Sequence, residues 1–488
     1  MTDLILVIDE GTTSTRAMLF QPDGTIAGTA QRPLSQHYPS PGQVEHDAAE
    51  IWDSSLAVAR EMVGKAGGAK AIAAIGITNQ RETVVAWDRS TGQPIGTALV
   101  WQDRRTASRC QELVAARLEP MIQQRTGLLL DPYFSATKME WMLVNRPDVR
   151  AAGDKLAFGT VDSWLLWKLT GGTTHATDAS NASRTMLMAL DGNGWDRQLC
   201  EQFHIEAASL PAIVDCHGPI GETEPSLFGL AIPICGMAGD QQAATIGQGC
   251  LGAGHTKATF GTGAFVLTNS GERPLHSSNR LLSTVLCQEA GQRSYALEGS
   301  IFVAGSLMQW LRDSANLLVS APESEALARS VPDNGGVYMV PALSGLGAPH
   351  WRPEARGLIQ GISFATTRAH LVRAALEAQA HQIYDLMKAF EADGVKWERL
   401  RIDGGMVAND WLAQDLADML DLVVERPSML ETTALGAAML AAVGAGIHAD
   451  LPTAAAAMDS DVTCFEPKMP PAERERRLAG WRDALRRV

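Results

Sequence analysis

The apolar and polar positions near the N-terminus predict a strand, a tight turn and a second strand. An apolar run at 4–8 is followed by a polar stretch at 9–16 and by further apolar residues at 17–20. The turn holds a glycine and small hydroxyl residues, so its backbone N–H groups can form a concave site that suits an anion. The carboxylate of Asp9 stands at the mouth of this turn, where it suits a divalent cation such as Mg²⁺. The stretch therefore indicates either a site for phosphate and metal or an ordinary hairpin turn.

A second stretch with the same pattern lies far down the chain. Residues 256–260 lead into a glycine and threonine turn at 261–263, and an apolar run follows at 264–267. Two such hairpins predict a duplicated architecture in which two phosphate-binding loops face each other across a cleft. The chain has no Walker A sequence with its lysine, so we expect hydroxyl groups and backbone N–H groups alone to hold a nucleotide.

The remaining pattern predicts strands that alternate with helices, which is typical of an α/β protein with a mixed sheet. A β-hairpin followed by a helix and a strand suggests a ribonuclease H-like topology. At 488 residues the chain is long enough for two large domains. The glycine-rich stretch 247–252 fits a connection better than a dinucleotide site, because no strand leads into it. We therefore expect an N-terminal domain over 1–250 and a C-terminal domain over 251–488.

Composition and charge narrow the range of partners. Apolar residues make up 45% of the chain and charged residues 20%, which indicates a globular protein. The net charge of −14, with no basic stripe, argues against binding to nucleic acid or to a membrane surface. The seven cysteines are scattered and odd in number, which argues against a disulfide framework or a zinc site. We expect a cytoplasmic protein without a membrane anchor, since no signal-peptide pattern opens the chain and the longest weakly polar run, 432–447, is too short to span a bilayer.

Two stretches of the first half are candidates for a ligand pocket. Arg81 and Glu82 follow the end of a predicted strand, where α/β proteins bind ligands. Neighbouring opposite charges are usually a solvated pair, but uncharged strands flank this pair on both sides and favour a pocket. Trp101, Tyr133 and Phe134 are either core aromatics or the apolar walls of a pocket for a hydroxyl-rich ligand.

Two further stretches also allow two interpretations each. Asp240 stands at the start of a predicted helix, where it is an N-cap, a general base that reaches a substrate hydroxyl, or both. The stretch 403–409 places a glycine pair between a strand and a helix. Such a pair either lets a flat ring approach the backbone or simply forms a tight turn with a helix cap.

Taken together, these segments resemble the FGGY carbohydrate kinases over nearly the whole chain. The matching stretches occur in the family's order and are 9–16, 38–47, 76–83, 101–106, 126–138, 159–169, 177–187, 239–244, 261–263, 296–299, 345–349 and 403–409. The resemblance implies an α/β fold of the actin, Hsp70 and hexokinase type, in which two ribonuclease H-like domains surround a central cleft. The stretches 79–83 and 181–185 together distinguish the chain from the family's sugar kinases. The resemblance also implies that the two domains close around ATP and glycerol.

The resemblance also implies roles for individual residues, position by position. Glycerol contacts are implied for Arg81, Glu82, Tyr133, Asp240 and Gln241, with Trp101 and Phe265 beside the carbon skeleton. Phosphate contacts are implied for Thr12, Thr13, Ser14, Arg16 and Thr262. The adenosine site would include Gly305, Gln309, Gly405 and Asn409, and Asp9 with Asp240 would lie near Mg²⁺.

Three departures from the family's pattern bear on these expectations. Glu10 stands where relatives often have glutamine, and we expect it to add negative charge beside the phosphates. Met406 replaces a commonly smaller residue near the nucleotide. The stretch 225–230 lacks both the loop that binds fructose 1,6-bisphosphate in some bacterial relatives and the histidine that is phosphorylated in others, so neither form of regulation is expected.

The resemblance implies in-line transfer of the γ-phosphoryl group of ATP to a terminal hydroxyl of glycerol, giving sn-glycerol 3-phosphate, with Asp240 as the catalytic base. It also implies a homo-oligomer, either a dimer or a tetramer, although the sequence does not show which. One alternative is a kinase for another small polyol or a ketose. The other is a non-catalytic nucleotide-driven switch like Hsp70 or actin, which would leave Arg81, Tyr133 and Asp240 without a role.

Overall fold

The computed structural model describes residues 3–192, 194–352 and 354–488. In the first half the strands are β1 Leu4–Glu10, β2 Ser14–Phe20, β3 Ile26–Pro33, β4 Glu45–His46, β5 Ile72–Asn79, β6 Val84–Asp88, β7 Gln93–Pro94, β8 Ala98–Leu99, β9 Leu156–Thr160, β10 Ala176–Asp178, β11 Ala212–Val214, β12 His217–Glu222 and β13 Pro233–Gly239. The helices of this half are α1 Ala48–Lys65, α2 Ala107–Ala115, α3 Glu119–Thr126, α4 Ser135–Asn145, α5 Pro147–Ala151, α6 Val161–Leu169, α7 Ala179–Ala182, α8 Arg197–Gln202, α9 Pro225–Phe228 and α10 Asp240–Gly247.

The second half follows the glycine-rich connection after α10. Its strands are β14 His255–Phe260, β15 Ala264–Gly271, β16 Leu282–Glu289, β17 Gln292–Ile301, β18 Tyr338–Val340, β19 Leu358–Gln360, β20 Arg399–Asp403, β21 Val424–Pro427 and β22 Val462–Phe465. Its helices are α11 Gly305–Asp313, α12 Glu323–Arg329, α13 Arg368–Ala392, α14 Asp410–Leu420, α15 Thr432–Gly444, α16 Leu451–Ala457 and α17 Pro471–Arg486.

Each half is built on one large mixed sheet. Among the described residues, the first sheet has the order β12-β13-β5-β1-β2-β3 and the second β16-β17-β15-β14-β20-β21-β22. In both, a hairpin joins a third antiparallel strand on one side and two parallel strands on the other. The duplicated α/β architecture with two ribonuclease H-like domains is therefore confirmed, and so are the two strand-turn-strand hairpins.

The first half carries an additional layer on its sheet. Short strands β4, β8, β6 and β7, with β9 beside β6, form a separate small sheet. Its apolar residues pack with α2, α3 and α4 in a core of their own around Phe134 and Phe158. This layer brings the loops with Trp101 and Tyr133 next to the end of β5, because β5 and β6 follow each other along the chain.

Helix α15 packs against the sheet of the other half of the chain. Its alanines and leucines share a core with Ile5 and Val7 of β1 and with α10. The approach is close, since a Cβ added to Gly76 would lie 2.5 Å from the carbonyl oxygen of Ala437. The core of the first half thus includes residues from beyond position 250, while the division at this residue stays a prediction.

The long helix α13 shows why the second half folds as predicted. Its apolar stripe, which runs from Leu376 through Ile383 to Phe390, is buried against the second sheet. The helix ends just before Gly394, which adopts a left-handed backbone. Within the described ranges no helix is both long and apolar enough to cross a membrane.

Candidate active site

The end of the first hairpin contacts the second half of the chain through Arg16. Asp9 and Arg16 lie opposite each other on β1 and β2. Arg16 donates to Asp9 (Nη2–Oδ2, 2.5 Å) and to Glu431 (Nη1–Oε2, 2.5 Å), which directly precedes α15. Burial raises the pKa of Asp9, and the Arg16 charge opposes that shift. The first turn is thereby fixed to both halves of the molecule.

Glu10 lies behind this turn rather than beside its mouth. Its side chain is fully buried, and its Oε2 accepts hydrogen bonds from the hydroxyls of Thr15 and of Ser55 (2.9 Å for Ser55). Burial raises the pKa of Glu10 from 4.5 to about 8, so the carboxyl is mostly protonated at neutral pH. The expectation that Glu10 adds negative charge next to the phosphates was therefore wrong, because it did not anticipate that the side chain would point into the core.

The hydroxyl residues of the first turn remain at the surface of the cleft. Thr12 Oγ1 accepts a hydrogen bond from Trp101 Nε1 at 2.9 Å, and Ser14 Oγ accepts one from Gln31 Nε2 at 2.8 Å. Thr13 is exposed. A hydroxyl that accepts one hydrogen bond can still donate its own hydrogen. Thr12 and Ser14 are thus positioned as donors.

The second hairpin turn is anchored by backbone atoms. The carbonyl oxygen of Thr262 accepts from the N–H groups of Ala304 (2.9 Å) and Ser306 (3.1 Å), and that of Gly261 accepts from Gly305 N–H (2.9 Å). These bonds place the first turn of α11 against the hairpin. Thr262 itself is exposed, so its hydroxyl remains accessible.

Arg81 lies at the centre of a buried polar pocket between the two sheets. Its guanidinium donates to Glu298 (Nη1–Oε2, 2.6 Å; Nη2–Oε1, 3.1 Å) and to the Tyr133 hydroxyl (Nη2–OH, 3.2 Å). Its Nε lies 3.3 Å from Asp240 Oδ1, and its Nη1 lies 3.4 Å from Gln242 Oε1. The side chain is almost completely buried. The interpretation of Arg81 and Glu82 as a solvated pair was therefore wrong, because both side chains belong to a buried polar cluster.

Glu82 follows directly in a strained backbone conformation. Its φ of 62° lies in the left-handed region, which a non-glycine residue adopts at a cost of about 1–3 kcal/mol. Two contacts stabilise it: Ser135 Oγ donates to its carbonyl oxygen at 3.0 Å, and Arg184 Nε donates to its carboxylate at 2.6 Å. Such strain is typical of functional sites.

Arg184 and Glu298 are the pocket residues to which our sequence analysis gave no role. Arg184 is fully buried, stacks over the ring of Tyr133, and donates from Nη2 to Glu298 Oε1 at 3.1 Å. Burial alone would raise the pKa of Glu298, but Arg184 and Arg81 outweigh it and lower this pKa to about 2. Both residues fall within matching stretches of the resemblance, 177–187 and 296–299, which was the available signal.

Asp240 is the first residue of α10, and its carboxylate faces the cleft. The N-cap is Gly239, so the interpretation of Asp240 as an N-cap was wrong; its Oδ1 accepts from the neighbouring Gln241 N–H at 2.7 Å. About a third of the side chain (33%) is exposed. Burial raises its pKa, and the charges of Arg81 and Lys257 oppose the shift. A partly accessible carboxylate with a raised pKa suits a general base.

Three aromatic rings surround the pocket. The rings of Trp101 and Tyr133 meet edge to face with centroids 5.6 Å apart. Phe265 lies opposite Thr259 and Ser300 on neighbouring strands of the second sheet and is partly exposed. These rings are partly exposed, which distinguishes them from fully buried core aromatics. Their exposed faces leave apolar surface for the C–H groups of a ligand.

A separate pocket lies beside the 403–409 turn. It is lined by Met308, Ala321, Pro322, Ser324, Glu325, Leu376, Gly405, Met406, Ala408 and Asn409. Gly405 opens the short 3₁₀ turn Gly405–Ala408, and a side chain added to it would meet no atom within 4 Å. Asn409 caps α14 by accepting from Leu412 N–H at 3.0 Å, as the helix-cap interpretation predicted. Gln309 lies outside this lining and is exposed on α11.

The carboxylates in the cleft fit a divalent cation that is held mainly by a nucleotide. Asp9 and Asp240 are close enough that the charge of Asp240 raises the pKa of Asp9. Within the described ranges, no three His, Cys, Asp or Glu side chains converge to form a metal site. Mg²⁺ at phosphoryl-transfer sites uses one or two carboxylates, several waters and the phosphates themselves. The residues present therefore fit Mg²⁺ bound together with a nucleotide, and not a closed protein site.

Comparison with known families identifies the class of this protein. The chain matches the FGGY family of carbohydrate kinases, with the N-terminal domain at 4–247 and the C-terminal domain at 256–445. The chain therefore belongs to this family.

Within the family, glycerol kinases are among its relatives. The glycerol kinase of Rhodospirillum rubrum is 54% identical over 99% of this chain and 98% of its own length, and that of Rhodospirillum centenum is 53% identical over the same shares. The crystal structure of Plasmodium falciparum glycerol kinase with ADP has a TM-score of 0.95 and 35% identity, covering 100% of this chain and 98% of that one. A gluconate kinase from Lactobacillus acidophilus, with 21% identity over 99% of this chain and 97% of its own, shares the fold at a TM-score of 0.89.

Proposed function

We propose that this protein transfers the γ-phosphoryl group of ATP to a terminal hydroxyl of glycerol, giving sn-glycerol 3-phosphate. The observation that carries the proposal is the convergence of Arg81, Tyr133 and Asp240 in one pocket between two hydroxyl-lined hairpins. The whole-chain similarity to glycerol kinases supports glycerol as the acceptor. We further propose a cytoplasmic location and a homo-oligomeric assembly, on the resemblance to this family.

The acceptor would bind through hydrogen bonds from buried polar groups. Arg81 and Tyr133 present donors to glycerol hydroxyls, and Glu82 and Gln241 lie next to them. Trp101 and Phe265 would cover the carbon skeleton. A buried polar pocket that is matched to a triol disfavours acceptors without those hydroxyls, because its own groups would then remain unpaired.

The nucleotide would lie between the hairpins. Thr12, Thr13, Ser14 and Thr262 supply hydroxyl and backbone donors to the phosphates, with Arg16 as the neighbouring positive charge. The pocket that contains Gly405 and Asn409 would take the adenosine, and Gly305 and Gln309 lie on the adjoining helix α11.

Phosphoryl transfer depends mainly on positioning and charge neutralisation. Asp240 accepts the proton of the attacking hydroxyl, since its carboxylate is partly accessible and has a raised pKa. Asp9 and Asp240 would hold Mg²⁺, which neutralises phosphate charge when it is bound with ATP. The two halves exclude water, which would otherwise compete as the acceptor.

The acceptor is tested by ADP release measured with glycerol, dihydroxyacetone, erythritol and xylulose as alternative acceptors. We expect ADP release that depends on glycerol, with lower kcat/KM for the other three. A preference for erythritol or xylulose would instead assign the site to another polyol or a ketose. Slow ATP hydrolysis that is indifferent to every acceptor would mean a nucleotide-driven switch and would refute the proposal.

The base is tested by Asp240→Asn. We expect kcat to fall by about 10²–10⁴-fold while ATP still binds, because the amide cannot take up the hydroxyl proton. Asp385→Asn is the matched control, since Asp385 is also partly buried but its side-chain contacts are with Trp481 and His350 of the second half. Near-normal turnover by Asp240→Asn would contradict the assignment.

A further inference from the structure

Two charged side chains of the second half point toward the acceptor pocket from one face of its sheet. Glu298 on β17 and Lys257 on β14 both lie directly opposite Leu267 of β15. Residues opposite each other on neighbouring strands project to the same face of a sheet. Both side chains are fully buried. Each of them contacts a side chain of the first half that is implied to bind the acceptor.

Glu298 determines how the Arg81 guanidinium is oriented. It takes one N–H from each terminal nitrogen, at 2.6 Å and 3.1 Å, in a two-point geometry that fixes the plane of the group. The Nε edge is left facing Asp240 at 3.3 Å, and the remaining Nη2 hydrogen points to the Tyr133 hydroxyl at 3.2 Å. Among the second-half residues that the structure describes, Glu298 is the side chain that accepts hydrogen bonds from Arg81.

Lys257 determines how the Gln241 amide is oriented. Its Nζ donates to Gln241 Oε1 and to Thr259 Oγ1, the latter at 3.0 Å. An ammonium group can only donate, so the oxygen of the Gln241 amide must face Lys257 and its NH₂ group must face away. The NH₂ group is then free to donate to an oxygen atom of the acceptor.

We propose that Glu298 and Lys257 are positioning residues for the phosphoryl acceptor, which they orient through Arg81 and Gln241. This inference rests on the proposed function and extends it. Arg81 and Gln241 belong to the first half, but their orientation is set from the second half, the half that would bind the adenosine. Acceptor affinity consequently depends on contact between the two halves.

A purely structural role is the competing explanation, and the chain provides its own control. Glu377 of α13 is also a buried carboxylate between two arginines, Arg373 (2.9 Å) and Arg477 (3.7 Å). These partners belong to the second half and do not contact the acceptor pocket. Removing the charge of Glu377 can lower stability, but it does not reorient a ligand-binding group.

The first test compares Glu298→Gln with Glu377→Gln in steady-state kinetics of the full-length enzyme. We expect Glu298→Gln to raise KM for glycerol by about 10–100-fold, as loss of a charge-assisted hydrogen-bond pair implies, and to change KM for ATP by less than about twofold. Glu377→Gln should leave both KM values near those of the wild type. Thermal unfolding of each variant separates a loss of fold from a loss of acceptor binding.

The second test uses Lys257→Met in the wild type and in a Gln241→Ala background. If Lys257 acts through Gln241, Lys257→Met raises KM for glycerol by about tenfold in the wild-type background. In the Gln241→Ala background, which lacks the amide, the same substitution raises KM by much less. If Glu298→Gln does not fold, the comparison of Lys257→Met in these two backgrounds still tests the proposal. Fully additive effects would overturn the role of Lys257.

The wild-type enzyme distinguishes failure of this inference from failure of the proposed function. If the wild type releases no ADP in response to glycerol, the proposed function itself fails. If the wild type is active and neither Glu298→Gln nor Lys257→Met changes KM for glycerol, only the inference is refuted. An equal rise in KM for glycerol and for ATP would also refute it, since that result reports general disruption of the cleft.

Discussion

The two hairpins of this protein have the same topology and similar turn sequences, yet they are held in place differently. In the first, Glu10 and Gly11 precede Thr12; in the second, Phe260 and Gly261 precede Thr262. The first turn is fixed largely by side chains, among them the Trp101 indole on Thr12, together with a backbone hydrogen bond from Leu34 N–H to the Thr13 carbonyl oxygen. The second is fixed by backbone hydrogen bonds from the start of α11.

This difference follows from what packs behind each turn. The first turn faces the additional layer of the first half, which supplies Trp101. The second turn has the backbone of 301–306 directly against it, so no side chain fits between them. Duplicated phosphate loops can thus keep one geometry with different supports. The two loops should tolerate different substitutions.

The largest expected difference concerns glycine in the second turn. A Cβ at Gly263 would collide with the carbonyl oxygen of Ile301, so we expect Gly263→Ala to lower the free energy of unfolding by about 3–4 kcal/mol. At Gly11 of the first turn the nearest atom, Ser14 O, would be 3.1 Å away, and Gly11→Ala should cost about 1 kcal/mol. Urea unfolding measures both.

Gly261→Ala is the control within the second turn. Its added Cβ would have no neighbour closer than 3.9 Å, so we expect a change within about 0.5 kcal/mol. Equal losses for Gly263→Ala and Gly11→Ala would show that the two turns are supported alike.

The next effect is pH-dependent and belongs to the first hairpin, where a buried carboxyl replaces the phenylalanine of the second. The folded protein keeps the Glu10 proton up to about pH 8, whereas the unfolded chain loses it near 4.5. The contribution of this carboxyl to stability is therefore complete below pH 4.5 and is lost as the pH rises through about 8.

Glu10→Gln should remove this dependence. We expect the variant to match the wild type below pH 4.5 and to become progressively more stable than the wild type as the pH rises through about 8. Thermal unfolding across that pH range measures the difference. A stability difference that does not vary with pH would mean that Glu10 is ionised in the folded protein.

The smallest expected effect tests the side-chain support of the first turn. Trp101→Phe keeps a ring but removes the 2.9 Å hydrogen bond to Thr12, worth about 0.5–1.5 kcal/mol. We expect KM for ATP to rise by about 2–10-fold. Trp195→Phe, which removes a comparable hydrogen bond to the Pro211 carbonyl away from the cleft, should leave KM for ATP unchanged. A similar change in both variants would argue against a specific support of Thr12.

The sequence by itself determined the elements that local pattern controls. The two hairpins follow from the spacing of apolar residues along each strand. The strand end that carries Arg81 and Glu82 was predictable for the same reason. The glycine-rich stretch 247–252 also connects α10 to β14 as expected, with no strand leading into it.

Only the tertiary structure decided which side chains meet across the two halves. Glu298 lies 217 residues from Arg81, and α15 packs on a sheet whose first strand begins more than 400 residues earlier. The spacing of apolar residues along the chain does not predict such pairings, because they depend on which faces of distant elements become buried together. The direction of Glu10 was decided in the same way: α1 packs against β2, and the hydroxyl of its Ser55 donates to the Glu10 carboxyl and holds this side chain in the core.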